Sequence, residues 1–104
     1  MPSGPKRRVP AEVQEEEPAM SELQTAFQAA VVASQQRSQR PDNATLLRLY
    51  GLYKQASTGD NKVPKPGFSD MVGRAKWDAW NKLQGMSAED AMQQYIDAIA
   101  ALDD

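Results

Sequence analysis

Residues 43–56 read NATLLRLYGLYKQA, and this stretch decides the fold class. Leu46, Leu49, Tyr50 and Tyr53 recur at intervals of three and four, which places them along one side of a helix. Leu47 and Leu52 widen that apolar surface. A strand would need alternation with period two, and no part of the chain has it. The residue before a proline disfavours helix, so Arg40-Pro41 closes the preceding segment. Asp42 can then cap the new helix. Ser57-Thr58-Gly59-Asp60-Asn61 supplies turn chemistry at its far end.

Three further helices follow from the same reading. The first is predicted over Ser21 to Gln36, with Leu23, Ala26, Phe27, Ala30 and Val31 as its buried stripe. Ser21 is its expected N-cap, with Gln24 as capping-box partner. A long connection, 57–69, contains Gly59, Pro64, Pro66 and Gly67; connections of this length are more often functional or packed along the surface than idle. The third helix is predicted from Ser69 or Asp70 to Gln84, ending at Gly85. Its apolar positions are Met71, Val72, Ala75, Ala79, Trp80 and Leu83, with Trp77 on a neighbouring face. Ser87-Ala88-Glu89-Asp90 resembles a capping box for the fourth helix. Ala91, Met92, Tyr95, Ile96, Ile99 and Leu102 form its stripe. The expectation is an all-α four-helix bundle occupying residues 20–104.

Residues 1–19 differ. They hold four of the seven prolines, a basic triplet Lys6-Arg7-Arg8 and an acidic triplet Glu15-Glu16-Glu17. Such a segment buries too little apolar surface to offset its ordering entropy, so a flexible tail is expected. Met20, where the ordered pattern begins, is a second candidate start for the chain.

Composition removes several function classes. The 104 residues suit one domain, 40% of them hydrophobic. Cysteine and histidine are both absent. That excludes disulfides, thiolate metal sites and the usual nucleophilic triads, and it removes the commonest general base. No apolar run approaches the roughly 20 residues needed to span a bilayer. The first residues lack an apolar secretory core. A cytoplasmic, monomeric protein without metal, cofactor or nucleic-acid partner, and without stable membrane insertion, is expected. The net charge of −2 conceals an asymmetry. Nine basic residues lie between Arg37 and Lys82, against four acids. A basic middle in an acidic chain suits an anionic ligand; ordinary solvated charge is the plainer alternative.

Tyr50, Tyr53 and Lys54 stand at i, i+3 and i+4 and so project to one side. Tyrosine offers a flat ring and a hydroxyl, and lysine a mobile cation that reaches phosphate. Together they suit a ligand carrying an aromatic base and a phosphate. The competing reading makes both tyrosines core residues. Trp77 and Trp80, three apart, read as core for at least one of the pair. Arg74 and Lys76 read as a solvated face, and Tyr95 as core with its hydroxyl at an edge.

These residues closely resemble the acyl-CoA-binding protein family. The resemblance is carried by Tyr50 to Ala56, Gly59-Asp60, Pro66-Gly67, Gly73-Arg74-Ala75-Lys76-Trp77-Asp78-Ala79-Trp80, and Ser87 to Met92, in family order and with family-like gaps. It implies a four-helix bundle that binds medium- to long-chain fatty acyl-CoA esters as a carrier and pool buffer, without catalysis. It implies that Tyr53 stacks on adenine and that Tyr50, Lys54 and Lys76 meet the ribose 3′-phosphate. Tyr95 matches a ligand-contacting tyrosine of the fourth helix. Phe27 and Ala30 match positions near the acyl groove, and Gln35 and Arg74 are further candidates. The chain departs from the pattern at Gln35 and Val72, where many members carry lysine. A thioesterase-like enzyme and a protein-interaction module are the readings from other classes; the lack of His and Cys disfavours the first.

Overall fold

The computed structural model describes residues 18–102, with side chains from Glu22 onward. The expected tail therefore lies largely outside the described residues. Four helices follow one another: α1 (Pro18–Gln35), α2 (Asn43–Ser57), α3 (Met71–Asn81) and α4 (Ala88–Leu102). Among the described residues there is no strand, and no helix is long and apolar enough to cross a membrane. The all-α bundle expected from periodicity is what forms.

Local chemistry sets the helix ends. Asp42 accepts from the Thr45 amide at 2.8 Å and caps α2. Thr45 also holds the Asp42 carboxyl below its ordinary range, through its hydroxyl and then its amide. Asp70 does the same for α3 by accepting from the Gly73 amide at 3.0 Å. Ser87 Oγ accepts from the Asp90 amide at 3.0 Å at the head of α4, where Glu89 and Asp90 also favour the positive helix end.

Two expected boundaries are corrected. Helix α1 begins at Pro18, so Ser21 lies within it rather than capping it; proline is well suited to a first helical position, where its missing N–H costs nothing. Helix α3 ends at Asn81, not Gln84. Beyond it the chain tightens into i to i+3 turns, with Leu83 N bonded to Trp80 O and Gln84 N to Asn81 O. Gly85, at φ 88°, ends those turns in the left-handed region that glycine tolerates.

The helices pack in an order unlike their order in sequence. α1 packs on α4, α4 on α2, and α2 on α3. The main core joins Phe27 and Ala30 of α1, Leu49, Leu52 and Ala56 of α2, and Ala91, Met92, Tyr95 and Ile99 of α4. Trp80 and Ala79 of α3 are buried separately, against α2 and the following loop. A Cβ on Gly51 would stand 2.5 Å from the Ala79 carbonyl oxygen, so the missing side chain lets the α2 and α3 backbones meet. Ala26, read into the buried stripe of α1, is exposed, as are Met71 and Val72 among the apolar positions of α3. Met71 and Val72 stand in the first turn of α3, ahead of the close backbone approach of Ala79 to Gly51.

The loop from 58 to 70 is long but firmly tethered. The Trp80 indole N–H donates to Gly59 O at 2.8 Å, Trp77 donates to Val63 O, and Arg74 donates to Pro66 O. Asn61 is buried, bonding its own loop at the Val63 amide. Buried Gln55 donates from one amide nitrogen to both Asp60 and the Met86 carbonyl. Asp60 also accepts from the Gly85 amide at 2.8 Å. Those bonds, first from Gly85 and then from Gln55, hold the Asp60 carboxyl below its ordinary value of 3.8. A depressed carboxylate stabilises the fold above its unfolded pKa and loses that contribution as pH falls through its folded pKa. In thermal melts, wild type should therefore exceed Asp60→Asn by a constant margin at neutral pH. That margin should shrink only as the pH drops below the ordinary carboxylate range.

Candidate functional site

Two adjoining cavities share Leu46 and Tyr50 of α2. The first, about 280 Å³, lies among the end of α1, the face of α2 and α4. Gln35, Tyr50, Tyr53 and Tyr95 line it, together with Ser34, Arg37, Leu49 and Leu102. The second, about 370 Å³, opens between α2 and α3. Its floor is apolar, from Leu46, Leu47, Val72 and Ala75, and its polar side carries Arg40, Asn43 and Lys76.

The three residues of the α2 motif divide: Tyr50 and Tyr53 line the first cavity and Lys54 does not. Tyr50 is half-buried and Tyr53 is 41% exposed, so neither is a core side chain. The Lys76 ammonium sits over the Tyr50 ring, 5.5 Å from its centroid. The Tyr53 ring stacks beside Phe27 at 6.1 Å. Lys54 lies apart from both cavity linings, with its ammonium 4.9 Å over the Trp80 ring.

The remaining candidates divide. Tyr95 is buried, meets Phe27 edge-on at 5.2 Å and donates its hydroxyl to Ser34 Oγ at 3.1 Å. It nevertheless forms part of the first cavity wall. Gln35 is exposed at the rim of that cavity. Phe27 and Ala30 are buried and stand behind the site, Phe27 as the support of two tyrosines. Arg74 is committed to the Pro66 carbonyl and lines neither cavity. Sequence reasoning missed Arg40, which lines the second cavity and donates to Asn43 Oδ1. Its only sequence signal was membership of the basic middle of the chain. Among the described residues, no group of three or more carboxylates gathers as a metal site.

Tyrosine rings and cations thus flank an apolar floor, which suits an amphiphile with an anionic aromatic head. The profile described as "Acyl CoA binding protein" matches residues 24–99. The chain belongs to the acyl-CoA-binding protein family. It is 47% identical over 76 residues to the acyl-CoA-binding protein homolog of Drosophila melanogaster, covering 73% of this chain and 88% of that one. It is 51% identical to acyl-CoA-binding domain-containing protein 5 of Xenopus tropicalis, across 71% of this chain but only 17% of that larger protein. The crystal structure of Oryza sativa acyl-CoA-binding protein 2 superposes with a TM-score of 0.78 at 36% identity, covering 81% of this chain and 91% of that one. A match at 45% identity to enoyl-CoA delta isomerase 2 of Rattus norvegicus spans 82% of this chain and 22% of that enzyme. This member of the acyl-CoA-binding protein family therefore corresponds to nearly all of a small relative and to a minor part of several long ones.

Proposed function

We propose that this protein binds medium- to long-chain fatty acyl-CoA esters and acts as their cytoplasmic carrier and pool buffer, without catalysis. The observation that carries this reading is Tyr50, which borders both cavities and lies beneath the Lys76 ammonium. A nucleotide phosphate at that junction would meet a cation and a phenol, and an acyl chain would have the apolar floor beyond. Tyr53, exposed and backed by Phe27, is the proposed platform for adenine. Lys54 and Lys76 are the proposed phosphate partners, and Tyr95 and Gln35 complete the first cavity. Residues 20–104 form the proposed binding domain, monomeric and without nucleic-acid affinity, with 1–19 as an accessory tail.

Each methylene buried on the floor should contribute about 0.8 kcal/mol, so affinity should rise with chain length until the groove is full. Calorimetric titration with palmitoyl-CoA and with free CoA, alongside thioester absorbance over time, tests the reading. Tight palmitoyl-CoA binding without turnover is expected; turnover would make the protein an enzyme, and absence of binding would end the proposal. Lys54→Ala should also lower the salt sensitivity of binding, because one phosphate-pairing charge is lost. An unaltered salt slope would remove Lys54 from the site.

A further inference from the structure

Beyond the two cavities of the site lies a third, of about 480 Å³, among α2, α3 and α4. Helix α2 lends it Ala44, Leu47 and Leu52, while α3 and the turn after it lend Ala75, Ala79 and Leu83. Three of these six side chains are alanines, too short to fill the gap between the helices. An apolar cavity of this kind holds water poorly and accepts hydrocarbon. Its polar border is already matched or solvated. Arg48 donates to Gln94 Oε1 at 3.3 Å, Asp78 pairs with Lys65 at 3.1 Å, and Lys82 is exposed. That border suits an uncharged, apolar occupant rather than a second anion.

The third cavity shares a wall with the second. Leu47 and Ala75 line both, and both are half-buried. On the α3 side the partition is therefore a single methyl group. The second cavity alone, at about 370 Å³, is near the lower end of the about 300–1,000 Å³ usual for ligand pockets. Tyr50 and Lys76 occupy part of its lining, so the hydrocarbon floor left for a long chain is short.

We propose that the far end of a long acyl chain passes between Leu47 and Ala75 into the third cavity, and that the small side chain of Ala75 sets how long a chain is held. The inference rests on the fatty acyl-CoA reading and adds to it a length-determining residue. Each methylene that enters the third cavity should raise affinity about four-fold, because it would otherwise remain in water.

Calorimetric titration of the full chain with dodecanoyl-CoA and octadecanoyl-CoA tests this. One ester per chain is expected, with wild type preferring the longer by about a hundred-fold or more. Ala75→Phe thickens the partition and should cut that preference to about ten-fold or less. Ala44→Trp should cut it likewise, by filling the third cavity from an exposed position that lines neither of the other two. Thermal melts report whether each variant is folded, and Ala44→Trp decides the matter if the bulk at position 75 unfolds the chain. The preference is a ratio within one protein, so a general weakening of binding does not alter it. A wild-type affinity that stops rising at dodecanoyl-CoA, folded variants that keep the full preference, or a second ester bound per chain would each overturn the proposal. Dodecanoyl-CoA still binds in those cases and the carrier reading stands, whereas no binding of either ester would defeat both.

Discussion

Replacing Trp80 by alanine is expected to cost about 3–5 kcal/mol of folding stability, read from urea denaturation followed by circular dichroism. The side chain is 5% exposed and is the main buried residue of α3. Its removal leaves a large cavity between α3, α2 and the loop. It also strands the Gly59 carbonyl, which accepts the indole N–H at 2.8 Å. The cation over the ring, Lys54, loses its platform as well. Trp80→Phe separates these effects. It keeps most of the ring and loses the hydrogen bond, so its loss attributable to that bond should be about 1 kcal/mol. If Trp80→Ala costs no more than Trp80→Phe, the ring is not what fastens α3 to the remainder.

Lys76→Ala and Tyr53→Ala should do the reverse, leaving the melting temperature nearly unchanged while sharply weakening palmitoyl-CoA binding. Both side chains are exposed, so little packing is lost. A charge-assisted hydrogen bond to phosphate contributes about 1.5–3 kcal/mol, which puts the Lys76→Ala loss at roughly ten- to a hundred-fold. Base stacking on an aromatic side chain contributes about 1–3 kcal/mol, so Tyr53→Ala should fall in a similar range. Calorimetry gives the affinities and a thermal melt gives the control. A variant that keeps wild-type affinity removes its residue from the site. One that loses affinity and stability together has a role in packing.

Residues with local, short-range signatures could be read without coordinates. Asp42 and Ser87 mark the starts of α2 and α4 because a capping side chain bonds an amide only a few positions on. Helical spacing made the shared side of Tyr50 and Tyr53 legible, whereas Lys76, whose plain reading is a solvated face, entered only through the family resemblance. Features that depend on one helix crossing another were not legible. Met71 and Val72 read as apolar positions of α3 yet are exposed, because the close approach of the α2 and α3 backbones comes further along, where Ala79 meets Gly51. The end of α3 was overextended because Gly85 closes a run of tighter turns rather than the helix itself. Gln55 and Asn61 gave no sign of burial, since their partners are loop atoms that only the tertiary fold brings near.

The packing order also bears on how the chain acquires its shape. The only helix α1 packs against at backbone range, among those described, is α4. The bonds at that seam join distant residues: Tyr95 to Ser34, 61 positions apart, and the Leu102 carbonyl to Arg37, 65 apart. Closing so large a loop must precede any gain from the contacts it creates, which slows folding relative to a bundle of sequential neighbours. During synthesis α1 emerges first and its counterpart last. Phe27 and Ala30 therefore lack their α4 neighbours until nearly all of the described helices have left the ribosome, and completion of the fold becomes a late event that joins the two ends of the described chain.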